Sequence, residues 1–218
     1  MMSRLLISFC LLIAAMWSCV ESKGAKKAAG EIPMGVSMPR VVIATNLGQI
    51  VVELDDVKAP LTVAHFLNHV KNKRYDGTLF HRVIQDFMIQ GGGVKVDGDK
   101  MIELPSGQSV KNESQNGLLN RRGTIAMARK KDPDSATGQF FINVEDNASL
   151  DYPSLGGYTV FGRVVEGMEI VDRIRSVRTG SSMIWMAVSE SGPLQAASAQ
   201  NIPIDPVVIQ SIRKGSTR

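Results

Sequence analysis

The sequence predicts a mainly β domain, a barrel or a sandwich, carrying two helices. Three observations lead there. Short apolar runs rich in β-branched residues recur between turn residues along most of the chain. Only two stretches carry a helical period, so the strand–helix alternation of a parallel α/β fold is missing. Of 218 residues, 44% are hydrophobic but only 6% aromatic, with 20 Gly and 11 Met, a composition suited to a turn-rich fold with an aliphatic core.

Residues 41–44 and 49–54 read as strands around Thr45, Asn46, Leu47 and Gly48, a hairpin in which glycine supplies positive φ. Ala59 and Pro60 open a helix over 61–71, since proline suits the first helical turn. Val63, Phe66, Leu67 and Val70 fall on one face of it, and His65 and His69 on the opposite one. Strands follow at 79–84, 87–90, 123–128, 139–144 and 159–165. A second helix, 169–175, comes after Gly167, and a last strand covers 207–212. Residues 179–206 read as a long irregular loop, with Met183, Trp185 and Met186 among Ser, Gly and Ala.

The N-terminal 18 residues read as an export signal: Arg4, then an apolar run over 5–17 that is too short to span a membrane. Cys19 follows the small Ser18 and precedes a polar stretch, as in a bacterial lipoprotein signal whose cysteine is lipidated and becomes the first mature residue. Trp17 departs from that pattern, and ordinary signal cleavage nearby is the alternative. Residues 19–38, rich in Lys, Ala, Gly and Ser, form a flexible tether, leaving a domain over 39–214. The expected location is the periplasm or cell envelope, with a lipid anchor on a membrane. Cys10 and Cys19 are the two cysteines, so the domain has no disulfide, cysteine zinc site or cysteine nucleophile.

Charge and motifs exclude several functions. The net charge of +4 comes from 25 basic residues scattered among 21 acidic ones, not the stripe of a nucleic-acid binder. Gly91, Gly92 and Gly93 are not followed by the Lys-Ser/Thr of a phosphate loop, and read as close backbone packing in a bent strand. There is no Gly-x-Ser-x-Gly elbow around which His81 could serve a hydrolase. His65 and His69 lack the glutamate of a zinc-protease helix and read as surface histidines, so no metal and no cofactor is expected. What stands out is FHRVIQDFMIQGG at 80–92, GTIAMAR at 123–129 and QFFIN at 139–143. If alternate residues share a face, Arg82, Phe87, Met88 and Gln90 converge with Gln139 and Phe141. That makes an apolar pocket with one fixed cation and a few amides; plain core beside a surface cation is the other reading.

These strings resemble the cyclophilin family of peptidyl-prolyl cis-trans isomerases. TNLGQIVVELDDVKAPLTVAHFL resembles its opening hairpin and first helix, and DSATGQFFINVEDNASLD and GYTVFGRVVEGMEIVDRI follow in the family's order. The resemblance covers about residues 40–180 and resumes at the last strand. It is closest to the bacterial exported type, which shares a stretch like NGLLNRRGTIAMAR. It implies an eight-stranded antiparallel β-barrel closed by two α-helices, with the groove on its outer face. It implies that Arg82 is the catalytic arginine and that Gln90 orients it and the substrate carbonyl. Phe87, Met88, Phe141 and Leu150 match the proline pocket. Ala128 and Arg129 match the backbone that pairs with the peptide, Gln139 lines the groove, and Tyr158 stands where many relatives have His. Ser149 replaces the Trp or Phe of relatives, which implies weak cyclosporin binding. The implied function is isomerisation of X-Pro bonds in proline-containing peptides and unfolded exported proteins, by a monomer. A peptide-binding or chaperone module with weak isomerase activity is the alternative.

Overall fold

The computed structural model describes residues 38–187 and 193–215. The stretch read as an export signal, Cys19, and the expected tether up to residue 37 lie outside the described residues. The elements are β1 (Arg40–Thr45), β2 (Gly48–Leu54), α1 (Pro60–Lys71), β3 (Thr78–Leu79), β4 (Arg82–Ile84), β5 (Met88–Gly91), β6 (Val94–Asp97) and β7 (Lys100–Glu103). Then come β8 (Thr124–Met127), β9 (Phe140–Asn143), β10 (Val160–Glu166), α2 (Met168–Arg175), β11 (Thr179–Ala187), β12 (Leu194–Pro203) and β13 (Val208–Lys214).

The strands β3-β13-β1-β2-β10-β8-β9-β5-β4 lie side by side, and every one of these pairings is antiparallel. The two ends of that row, β3 and β4, are successive halves of the single run 78–84. The row therefore closes on itself into a barrel of eight staves, which leaves no free edge in the ring. The expected strand 79–84 is divided because Phe80 turns its N–H to the carbonyl of Val207 (2.9 Å), while Arg82 pairs with Gln90 on the other neighbour.

Alternation places Val41, Ile43, Ile50, Val52 and Leu54 inside the barrel. α1 and α2 pack onto this core through Val63, Phe66 and Val70, and through Ile170, Val171 and Ile174. Phe66, Tyr75, Phe80 and Phe140 form an aromatic cluster with centroids 5.2–6.0 Å apart. Ala59 offers α1 no side-chain cap. Glu113, distant in sequence, supplies one: its carboxylate accepts from the N–H of Leu61 (3.1 Å), the N–H of Thr62 (2.8 Å) and the Thr62 hydroxyl (2.7 Å). A negative charge there also suits the helix dipole.

Within the stretch expected to be an irregular loop, residues 179–187 and 194–203 are strands. β11 and β12 form a long antiparallel hairpin. β11 also runs parallel to β7 (Ile184 opposite Met101, Trp185 opposite Ile102), β7 pairs with β6, and β6 joins the barrel at β3. This four-stranded ribbon has its own small core of Leu79, Val94, Ile184 and Ile202. Trp185 is taken up within it, with the Lys100 ammonium 4.6 Å from the ring. Among the described residues no helix is long and apolar enough to cross a membrane.

Candidate active site

Strand register builds the site. Arg82 on β4 lies opposite Gln90 on β5, Gln90 lies opposite Phe141 on β9, and Phe141 lies opposite Ala126 on β8. This row crosses the outer face of the barrel. Met88, Ala126, Phe141 and Val160 make a cluster there, separate from the main core, edged by Phe87, Ala128, Leu150 and Tyr158. A pocket of about 140 Å³ opens on it, lined by Arg82, Phe87, Met88, Gln90, Ala128, Arg129, Phe141, Leu150 and Tyr158. Hollows elsewhere are larger, such as one of about 290 Å³ beside Met38 and Leu119, but the residues the sequence singled out line the smaller one. Gln139 lies next door. It lines an adjoining polar pocket with Glu103, Ser106, Lys130, Ser135 and Thr137.

The polar groups are ordered. Arg82 Nη1 donates to Gln90 Oε1 (3.4 Å), Gln90 Nε2 donates to Gln139 Oε1 (2.8 Å), and Gln139 Nε2 donates to Glu103 Oε1 (3.0 Å). The wall that carries Phe87 is pinned by buried amides. Asn147 Nδ2 donates to the Phe87 carbonyl (2.8 Å) and to Asn143 Oδ1 (2.7 Å), and Asn143 reaches Thr124 and Asn120. Tyr158 meets Phe141 edge-on at 5.8 Å. The Arg129 guanidinium lies 4.2 Å over the Tyr158 ring and donates to the carbonyls of Leu155 and Gly157. Its charge is thus spent on the rim. The Arg129 main-chain N–H and carbonyl have no partner among the described residues, whereas the Ala128 N–H already donates to the Gln139 carbonyl (2.9 Å).

Residues 40–212 match the model of the cyclophilin type peptidyl-prolyl cis-trans isomerase family. The chain belongs to that family. The peptidyl-prolyl cis-trans isomerase cyp18 of Streptomyces antibioticus is 48% identical over 180 residues, 81% of this chain and 98% of that protein. Peptidyl-prolyl cis-trans isomerase B of Escherichia coli is 43% identical over 176 residues, 79% of this chain and 97% of that protein. A crystal structure of a Cryptosporidium parvum cyclophilin type isomerase superposes with a TM-score of 0.62 at 26% identity, covering 83% of this chain and 99% of that one. The same protein crystallised in the presence of the dipeptide Ala-Pro gives 0.61 at 26% identity, covering 81% and 99%. The activity of this cyclophilin is the interconversion of cis and trans prolyl bonds.

The glycine run acquires its reason in this cyclophilin. Gly92 has φ +84°, and a Cβ there would meet the Tyr75 ring at 2.8 Å. A Cβ on Gly93 would come within 2.4 Å of the Gln139 side chain, so that side chain can lie across the backbone only because residue 93 is glycine. His65 and His69 are not plain surface histidines. Both are half-buried, with their Nε2 atoms directed at the Thr137 carbonyl, 3.0 Å away for His69. Burial, with the charges of His65 and Arg74, holds His69 below the usual histidine range against the pull of that carbonyl. Among the described residues no group of three or more His, Cys, Asp or Glu is placed to hold a metal. Glu103 and the Asn143–Asn147 network have no local sequence signal, because Gln139, Phe87, Asn120 and Thr124 are brought to them by the fold.

His81, beside Arg82, is buried, and its Nδ1 has no hydrogen-bond partner. Desolvation pushes its imidazole down to about 4. Between that value and the ordinary 6.5, the unfolded chain binds a proton that the native state refuses. The contribution to stability is therefore complete above pH 6.5 and is lost as pH falls to about 4. It amounts to about 3 kcal/mol. Denaturant titrations from pH 4.5 to 7.5 should show stability falling with acid, and His81→Gln should flatten the slope; an unchanged slope in His81→Gln would refute the assignment.

Proposed function

We propose that the 140 Å³ pocket seats the proline ring of an extended peptide, with Phe87, Met88, Phe141 and Leu150 around the ring and Arg82 as the catalytic residue. The observation that carries this is the register row that puts Arg82 and the rings and side chains of Phe87, Met88, Phe141 and Leu150 around one pocket of single-ring size. Amide resonance sets a barrier of roughly 18–20 kcal/mol to rotation. As the bond twists, the prolyl nitrogen recovers its lone pair and becomes an acceptor that neither planar form offers. A guanidinium N–H donating to it therefore stabilises the transition state selectively. Arginine stays charged at any working pH and presents its donors in a rigid plane. The pocket holds the ring while the preceding carbonyl turns, and the open main-chain edge of Arg129 pairs with the peptide backbone. Bringing tens of seconds down to milliseconds takes a factor of ~10⁴, or about 5–6 kcal/mol, within reach of one charged hydrogen bond plus ring positioning. Ser149 stands exposed beside Leu150, so the rim lacks an indole, consistent with weak cyclosporin binding.

The clients in this reading are unfolded exported proteins, and the site of action is the cell envelope, reached through the signal at 1–18 and held by a lipid on Cys19. The leader residues support it: a cation, an apolar run, a small residue, then cysteine. Fractionation of bacteria expressing the full chain tests it. Isomerase activity is expected in the membrane fraction, and Cys19→Ala should move it to the soluble fraction. Full-length, unprocessed chain in the cytosol would overturn the export reading.

A further inference from the structure

We propose that Glu103 is a positioning residue for Arg82, acting through the amides of Gln139 and Gln90; the proposal rests on the reading of Arg82 above. A glutamine side chain carries an acceptor on one side and donors on the other, and a half-turn exchanges them. A guanidinium can only donate, and a carboxylate can only accept. With Arg82 at one end of the chain and Glu103 at the other, a single arrangement makes all three bonds. Gln139 must turn its NH₂ to Glu103 and its oxygen to Gln90 (3.0 and 2.8 Å). Gln90 must then turn its oxygen to Arg82 (3.4 Å). Without Glu103 the order rests on the long Arg82–Gln90 bond alone, so the amides reverse more readily, and a reversed Gln90 sets donors against the guanidinium.

The ribbon holds Glu103 for this. Glu103 lies opposite Val94 in the β6–β7 pair, and the next residue, Leu104, donates its N–H to the Gly93 carbonyl (2.8 Å). Gly93 is also where any Cβ would displace Gln139. His81 also comes close to the Gln139 side chain, but an imidazole offers both a donor and an acceptor and so cannot fix the amide by itself. The orientation of a group in the barrel groove is thus set by a carboxylate on a hairpin outside the eight-stave ring.

The test measures kcat and KM on a short Ala-Pro-Phe-type peptide for the wild type, Glu103→Lys, Glu103→Ala and the double variant Glu103→Lys/Gln139→Glu. Glu103→Lys puts a donor where the chain needs an acceptor. It should lower kcat about tenfold with KM changed less than about twofold, the signature of misorientation rather than lost binding. Glu103→Ala, which merely frees the amides, should cost about threefold. In the double variant a carboxylate at 139 accepts from both neighbours, so Gln90 again presents its oxygen to Arg82, and most of the lost kcat should return. Unchanged kcat in both single variants, a KM effect in place of a kcat effect, or no recovery in the double variant would each overturn the proposal. If Glu103→Lys does not fold, the Glu103→Ala result decides alone. Arg82→Ala in the same assay separates the two readings. If it kills turnover while Glu103→Lys does not, only the positioning role falls; if it leaves turnover intact, the reading of Arg82 itself falls.

Discussion

Replacing Arg82 with alanine is expected to lower kcat/KM about 10²–10³-fold, the range seen when one preorganised donor to a transition state is removed. That corresponds to about 3–4 kcal/mol, the larger part of the barrier reduction the reaction needs. The melting temperature should move little. Arg82 is half-buried, makes no ion pair among the described residues, and has one long side-chain hydrogen bond, at 3.4 Å to Gln90. Its loss therefore removes little native-state stabilisation. Arg82→Lys should recover only part of the loss, since an ammonium keeps the charge but not the planar fork that Gln90 orients. Near-wild-type turnover in a folded Arg82→Ala would remove the arginine from the mechanism.

Local sequence signals located what local physics determines. The hairpin of β1 and β2, α1 with its apolar face, α2, and the strands β5, β8, β9, β10 and β13 fall within a residue or two of where the sequence places them. The row of Arg82, Gln90 and Phe141 was legible for the same reason, since alternation on neighbouring strands leaves few ways to arrange such residues. The ribbon was not. β12 reads LQAASAQNIP, with Ile202 as its one β-branched residue and no aromatic, and is extended because β11 pairs with it along its length. β7 is stabilised by β11, more than 80 positions away in sequence. The histidines of α1 face away from the core as their period requires, yet the Thr137 carbonyl meets them there. Glu113 capping α1 and Glu103 reaching Gln139 belong to the same class: polar contacts whose partner is chosen by the tertiary fold.

Adjacent residues on β9 should show how cleanly the barrel wall divides folding from catalysis. Successive strand side chains point to opposite faces. Phe140 points inward and is fully buried, packed at 5.5–6.0 Å against the rings of Tyr75, Phe66 and Phe80. Phe141 points outward to the pocket floor and touches Tyr158. Phe140→Ala leaves a cavity in a core that the closed ring of strands cannot collapse around. It should cost about 3–5 kcal/mol, or roughly 10 °C in melting temperature. Below its transition it should keep a kcat/KM close to wild type. Phe141→Ala enlarges a pocket that is already open, so less than half that stability should be lost. The ring of the substrate, however, loses its floor, and with it both binding and the alignment of the twisting bond with Arg82; kcat/KM should fall about tenfold or more. Thermal melts and single-peptide kinetics on the pair decide the matter. The division fails if Phe140→Ala, held folded, loses activity as Phe141→Ala does, or if Phe141→Ala proves the less stable of the two. A wall one strand thick can carry a site on its outer face because the period of two keeps these demands on different residues.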